Sequence, residues 1–175
     1  MLLDGKVALV SGTGPNIGAE IARTLAANGA RVACLDLNEQ YAQAAAISIN
    51  EAGGKAIGVA ADITQPESVE KAIQEVLGAF DGIQLLVNNA ATTKPIPQND
   101  LEALTGDEFH RIYAVNVVGA FQMTRAASLA LKETGNGAVV NISSIGAFVG
   151  NGSSMAYSAS KGALNTMTIS LARVL

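Results

Sequence analysis

Short apolar runs alternate with longer segments of helical period along this 175-residue chain. Val7–Val10 is apolar throughout and rich in β-branched residues, as expected of a central parallel strand covered on both faces. Further strands are predicted at Arg31–Leu35, Ala56–Ala61, Ile83–Val87 and Val139–Ser143. A Gly-rich turn, Gly12 to Gly18, opens a helix in which Ile17, Ile21, Ala22 and Leu25 share a face, and Gly29 closes it. Asn38 caps a helix to about Ala52, stopped by Gly53 and Gly54. Thr64 and Glu67 predict a capping box, with Pro66 in the first turn of a helix to about Phe80. Thr105 and Glu108 predict a second box, opening a long helix to about Glu133. A final helix carries Tyr157 and Lys161, reached through a small-residue loop, Ile145 to Ser154. Only Thr92 to Asp100 reads as an extended irregular segment. Strict β-α alternation predicts the α/β class, with a doubly wound parallel sheet.

Composition narrows the picture. Hydrophobic residues make up 49% of the chain and aromatics 4%, so Ala, Val, Ile and Leu must build the core. One domain is the default at this length. The net charge of −4, without a basic cluster, argues against nucleic acid as the main partner. No apolar stretch is long enough to span a membrane and no secretory signal is read before the first strand, so the expectation is a soluble, cytoplasmic protein. The single cysteine, Cys34, falls mid-strand and reads as a small buried residue, and no metal site is predicted.

Ligands of such sheets bind beyond the carboxyl ends of the strands, and the polar features gather there. The Gly-rich turn follows the first strand, Asp36 the second, Asp62 the third, Asn89 the fourth and Ser144 the fifth. Gly12 permits the tight turn, and the following helix offers backbone amides and a positive dipole end to a pyrophosphate. Asp36 can accept hydrogen bonds from a ribose diol. A 2′-phosphate beside that carboxylate would be repelled, and no Arg or Lys stands at residues 13–16 or at Leu37 and Asn38 to offset it. NAD(H) is therefore expected over NADP(H). Near the end, in ISSIGAFVGNGSSMAYSASK, Tyr157 and Lys161 are four apart and share a helix face. An ammonium one turn from a phenol favours the phenolate, which can exchange a proton with a substrate oxygen. The hydroxyl of Ser144 could hold that same oxygen. The set suits carbonyl–alcohol interconversion.

Together these residues resemble the short-chain dehydrogenase/reductase family over the whole chain. Its glycine signature falls on Ser11, Gly12, Asn16 and Gly18, and its Asn-Asn-Ala-Gly element on Asn88 to Ala91. Its helix asparagine matches Asn116, and its Ser…Tyr-x-x-x-Lys matches Ser144, Tyr157 and Lys161. The resemblance implies a single NAD(P)-binding Rossmann domain over residues 1–175, strand order 3-2-1-4-5, with the last strands missing. It implies NAD on Gly12, Asn16, Ile17, Gly18, Asp36, Leu37, Asp62, Ile63, Asn89 and Ala90, and on Tyr157 and Lys161. Tyr157 would be the acid/base, Lys161 would tune it and bind the nicotinamide ribose, and Ser144 would position the substrate. Asn116 would support a water that links Lys161 to solvent. The expected partner is a small alcohol or ketone; steroid, sugar, acyl thioester and small ketone all stay open. A homodimer or homotetramer is expected through the helices of Asn116 and Tyr157, where Val117, Val118, Leu164 and Met167 supply either those contacts or the sheet side.

Four departures accompany the resemblance. Ser11 keeps the hydroxyl of the usual threonine, and Ala91 adds one methyl. Asn16 replaces a glycine, and is expected to carry left-handed backbone there, with Gly14 sharing the strain. Finally, family members continue past the position of Leu175 with at least one more strand, a Pro-Gly element and a lid. The expectation is a fragment whose fifth strand is an exposed apolar edge. The rival expectation is a non-catalytic NAD-binding or scaffold protein of the same fold.

Overall fold

The computed structural model describes residues 1–175. Five parallel strands form one sheet: β1 (Val7–Ser11), β2 (Arg31–Asp36), β3 (Lys55–Ala60), β4 (Leu85–Asn88) and β5 (Ala138–Asn141), in the spatial order β3-β2-β1-β4-β5. The chain winds outward from β1 to β3, then returns past β1 to place β4 on its other side. That reversal makes the β1/β4 boundary a topological switch point, where ligands of such sheets bind.

The period-two geometry of β1 divides the core. Val7 and Leu9 join an apolar cluster with α3 (Pro66–Phe80) and α5 (Ala120–Glu133) on one face. Ala8 and Val10 join another with α1 (Ile17–Ala27) and α2 (Glu39–Glu51) on the opposite face. Every residue of β1 is buried, as its unbroken apolar run requires. Cys34 is buried in β2, and burial pushes its thiol up to about 12.

Several local expectations hold in detail. Asn38 accepts the Gln40 N–H to cap α2, Pro66 stands in the first turn of α3, and Thr105 accepts the Glu108 N–H to cap α4 (Gly106–Tyr113). Others differ for physical reasons. The strand edges move by a residue or more at β3, β4 and β5, and the fifth strand stops at Asn141 rather than Ser143. Ile17 is 65% exposed instead of facing the sheet, because α1 approaches through Gly18, Ala19 and Ala22. The box at Thr64 does not form: its hydroxyl and N–H both bind Asp62 Oδ1, at 2.7 and 2.8 Å, and α3 begins without a side-chain cap. The long helix runs without a break to Glu133, but a π-helical turn, Ala114–Gly119, joins α4 to α5 and carries Asn116.

Beyond β5 a short helix, α6 (Gly146–Val149), precedes α7 (Met155–Leu171), which packs on α4, α6 and the π turn. Strand β5 pairs on one side only, and Val140 is 44% exposed. No helix is long and apolar enough to cross a membrane.

Candidate active site

At the end of β1 the chain turns sharply under steric constraint. Gly12 has φ +72°, and a Cβ there would lie 2.6 Å from Ala90 Cα. A Cβ on Gly18 would lie 1.9 Å from the Gly12 carbonyl oxygen, so the first turn of α1 fits against β1 only as glycine. Asn89 closes the seam by donating Nδ2 to the carbonyls of Ser11 (3.1 Å) and Gly12 (2.8 Å). Ser11 Oγ accepts the N–H groups of Asn89 and Ala90, each at 3.2 Å. Ser11 thus does through its hydroxyl what ties the turn to the end of β4.

Asn16 corrects one expectation. Its backbone (φ −140°, ψ −144°) is not left-handed, so it carries no strain of that kind. Asp81 is the only non-glycine residue with positive φ. Asn16 also makes no side-chain cap, which leaves the first amides of α1 open. Asp36 faces this turn: Oδ2 accepts the Gly14 N–H at 2.9 Å and Oδ1 the Asn38 N–H at 3.0 Å. Leu37 beside it is exposed.

Asp62, at the end of the third strand, spends Oδ1 on Thr64. The side chain of Ile63 is turned inward, where a Cβ on Gly119 would collide with it at 2.6 Å, and its carbonyl accepts from Gln122 at 3.1 Å. The Ile63 side chain therefore belongs to the core, 6% exposed.

The second half of the site gathers around α7. Ser154 caps that helix by accepting the Tyr157 N–H at 3.3 Å. Lys161, one turn on, is 2% exposed and donates to the Ile142 carbonyl at 2.7 Å, just past the end of β5. Its Nζ lies 5.8 Å from the centroid of the Tyr157 ring. Burial pulls its ammonium down from 10.5 to about 8. Ser144 Oγ accepts the Gly146 N–H at 3.1 Å, which leaves its own proton free to donate. Two glycines leave room beside these side chains: the Cβ position of Gly146 is 3.4 Å from Ser144 Oγ, and that of Gly152 is 3.2 Å from Tyr157 Cδ1. Both positions share Ser158 Oγ as a neighbour, at 3.1 and 2.6 Å.

Asn116 is 1% exposed, and both donors and the oxygen of its side chain are hydrogen-bonded. It accepts the Thr92 N–H (2.7 Å) and donates to the Thr92 carbonyl (3.0 Å) and to Ser160 Oγ (3.0 Å). Sequence reasoning missed three participants here: Ser153, Ser160 and Arg111, the last binding Thr92 Oγ1 at 2.8 Å. No local pattern marks them, because each acts across the fold. A cavity of about 370 Å³ is lined by Leu131, Val139, Asn141, Thr168 and Leu175 among others, and by none of the site residues above.

Known proteins share this fold. Residues 6–175 match the short chain dehydrogenase family. The chain is 39% identical over 159 residues to a D-threitol dehydrogenase of Mycolicibacterium smegmatis, covering 91% of this chain and 60% of that one. It is 34% identical over 173 residues to the 3-oxoacyl-[acyl-carrier-protein] reductase of Escherichia coli, covering 99% and 68%. The crystal structure of an NAD+-bound xylitol dehydrogenase superposes with a TM-score of 0.90 at 33% identity, over 96% of this chain and 64% of that one. The chain thus spans roughly two thirds of the length of these relatives, and with the family match running over residues 6–175 it belongs to the short-chain dehydrogenase family of oxidoreductases.

Proposed function

We propose that this chain is an NAD-dependent oxidoreductase acting between a secondary alcohol and its ketone, with Tyr157 as general acid/base. The observation that carries the reading is the buried Lys161, held by the Ile142 carbonyl one turn from Tyr157, with the Ser144 hydroxyl on the facing loop.

The residues at the switch point fit a dinucleotide. The uncapped amides of α1, around Ile17 and Gly18, suit a pyrophosphate, with Gly12 and Asn16 shaping the turn. Asp36 keeps lone pairs free beyond those given to Gly14 and Asn38, and these suit a ribose diol beside Leu37. Asp62, the backbone of Ile63, Asn89 and Ala90 line the remaining adenosine side. Asp36 carries the preference for NAD(H), since no cation neighbours it to balance a 2′-phosphate. Bound nicotinamide supplies hydride transfer at C4.

The chain's own groups handle the proton. Ser144 donates its hydroxyl proton to the substrate oxygen and holds it near the phenol. In oxidation Tyr157 takes the alcohol proton as the C–H bond breaks; in reduction it returns one to the carbonyl oxygen. The Lys161 ammonium stabilises the phenolate between these events. Asn116, whose two side-chain donors are given to Thr92 and Ser160, supports a water that links Lys161 to solvent.

Assembly as a homodimer or homotetramer would use the helices of Asn116 and Tyr157. Exposed Val118 and half-buried Val117 and Met167 remain available for this, whereas Leu164 is spent on the core. Two titrations and a turnover assay test the whole reading. NAD+ should bind more tightly than NADP+, and a panel of secondary alcohols should give NADH. Equal binding of the two cofactors would remove the role of Asp36; NAD+ binding without turnover by any alcohol would favour the non-catalytic rival.

A further inference from the structure

The segment after β4 is the longest irregular stretch of the chain, yet side chains from three other elements define its seat. Asn116 holds Thr92 by both its N–H and its carbonyl. Arg111, on α4, donates Nη1 to Thr92 Oγ1 at 2.8 Å and Nη2 to the Thr93 carbonyl at 3.3 Å. Its Nε donates to Glu108 Oε2 at 3.1 Å, while Glu108 Oε1 accepts from Lys94 at 3.2 Å. Further along, the Thr93 and Ser153 hydroxyls bond to one another, and the Ile96 N–H reaches the Ser153 carbonyl at 2.8 Å. The Ile96 side chain is buried beneath this strap. Ser153 directly precedes Ser154, whose hydroxyl starts α7 on the Tyr157 N–H.

We infer that Arg111 is a positioning residue for the reaction proposed above, on which the inference rests. Its guanidinium seats Thr92 and Thr93 against Ser153, and so fixes the loop from which the Tyr157 helix begins. The chemistry of the side chain is what the seat requires. One rigid planar group meets three acceptors at once, a carboxylate, a hydroxyl and a carbonyl, in three directions. A lysine at the same place brings the charge but not the fork. The i,i+3 pairing with Glu108 holds the guanidinium in place from its own helix. A strap displaced by even an ångström would shift the Ser153 side of the site relative to Ser144, and displacements of that size are costly to turnover even when they arise far from the reacting atoms.

The test compares Arg111→Lys, Thr92→Val, Thr92→Ser and the Arg111→Lys/Thr92→Val pair in the full chain. Three quantities are read: turnover of a secondary alcohol, NAD+ affinity, and amide exchange at Ile96. Arg111→Lys and Thr92→Val should each lower kcat by about 10-fold or more with NAD+ affinity unchanged. Thr92→Ser, which restores the acceptor, should recover turnover. The pair should be no worse than Arg111→Lys, because both break one contact. Ile96 exchange should rise in each impaired variant. Unchanged kcat in Arg111→Lys, additive losses in the pair, or failure of Thr92→Ser to recover would overturn the inference. If the parent chain turns over no alcohol, the dehydrogenase reading fails on its own. The exchange arm then decides the clamp: protection at Ile96 unaltered by Arg111→Lys and Thr92→Val would refute it, and loss of protection in both would uphold it.

Discussion

Lys161→Met removes a buried ammonium that takes part in no ion pair and whose hydrogen bond is to the Ile142 carbonyl. Burial lowers that ammonium from 10.5 to about 8 in the folded chain. Below about pH 8 the lysine is protonated in both folded and unfolded states, so folding bears the whole desolvation cost. A drop of that size corresponds to about 3 kcal/mol. Between about pH 8 and 10.5 the folded chain gives up its proton first, the unfolded chain binds more protons, and stability rises with pH. Above that window neither state is charged and the cost is gone. Methionine escapes the cost at every pH but leaves the Ile142 carbonyl without its donor, a loss of about 1–3 kcal/mol. The two effects roughly offset at neutral pH, so the variant should match or slightly exceed the parent there. Between about pH 7 and 9.5 the parent should gain about 2 kcal/mol on the variant. Urea unfolding followed by far-UV circular dichroism at both pH values reads this directly, and using the difference cancels other groups that titrate in the same range. A difference that stays constant across that range would show that the ammonium is not held in a desolvated state, and the reasoning about Lys161 would fail with it.

Two further substitutions probe the cofactor turn. Gly18→Ala should cost about 3 kcal/mol or more, since its Cβ would lie 1.9 Å from backbone oxygen that cannot yield without moving β1; an unfolding midpoint like the parent's would contradict that. Asp36→Ser should raise NADP+ affinity relative to NAD+ by about 10-fold or more, as the repelling carboxylate is gone. It should also loosen the turn, because the Gly14 and Asn38 N–H groups lose their acceptor, and an unchanged affinity ratio would remove Asp36 from cofactor choice.

The sheet was legible in the sequence because apolar runs, caps and glycine stops repeat with little ambiguity, and the strand ends then carry Gly12, Asp36, Asp62, Asn89 and Ser144 to one edge. Misreadings arose where a different contact displaced the one the local pattern implies. Thr64 looked like a cap until Asp62 took both of its donors. Ile17 fitted an apolar face, but the close approach of α1 to β1 demanded glycine and alanine there. The π turn at Asn116 left no trace in residue periodicity, since what accompanies it is bonding to Thr92 and Ser160, far away in sequence. Arg111 was invisible for the same reason. An arginine at the end of a short helix is an ordinary surface residue until its partners are known, and those partners lie on a loop whose path no pattern predicts.

The account depends most on the phenol of Tyr157 being the group that moves the proton. Tyr157→Phe keeps the ring and the backbone N–H that Ser154 caps, and removes a single oxygen. Measured side by side in parent and variant, NAD+ affinity should fall little while NADH formation from a secondary alcohol disappears. Turnover at the parent's rate in the phenylalanine variant would contradict the account at its centre.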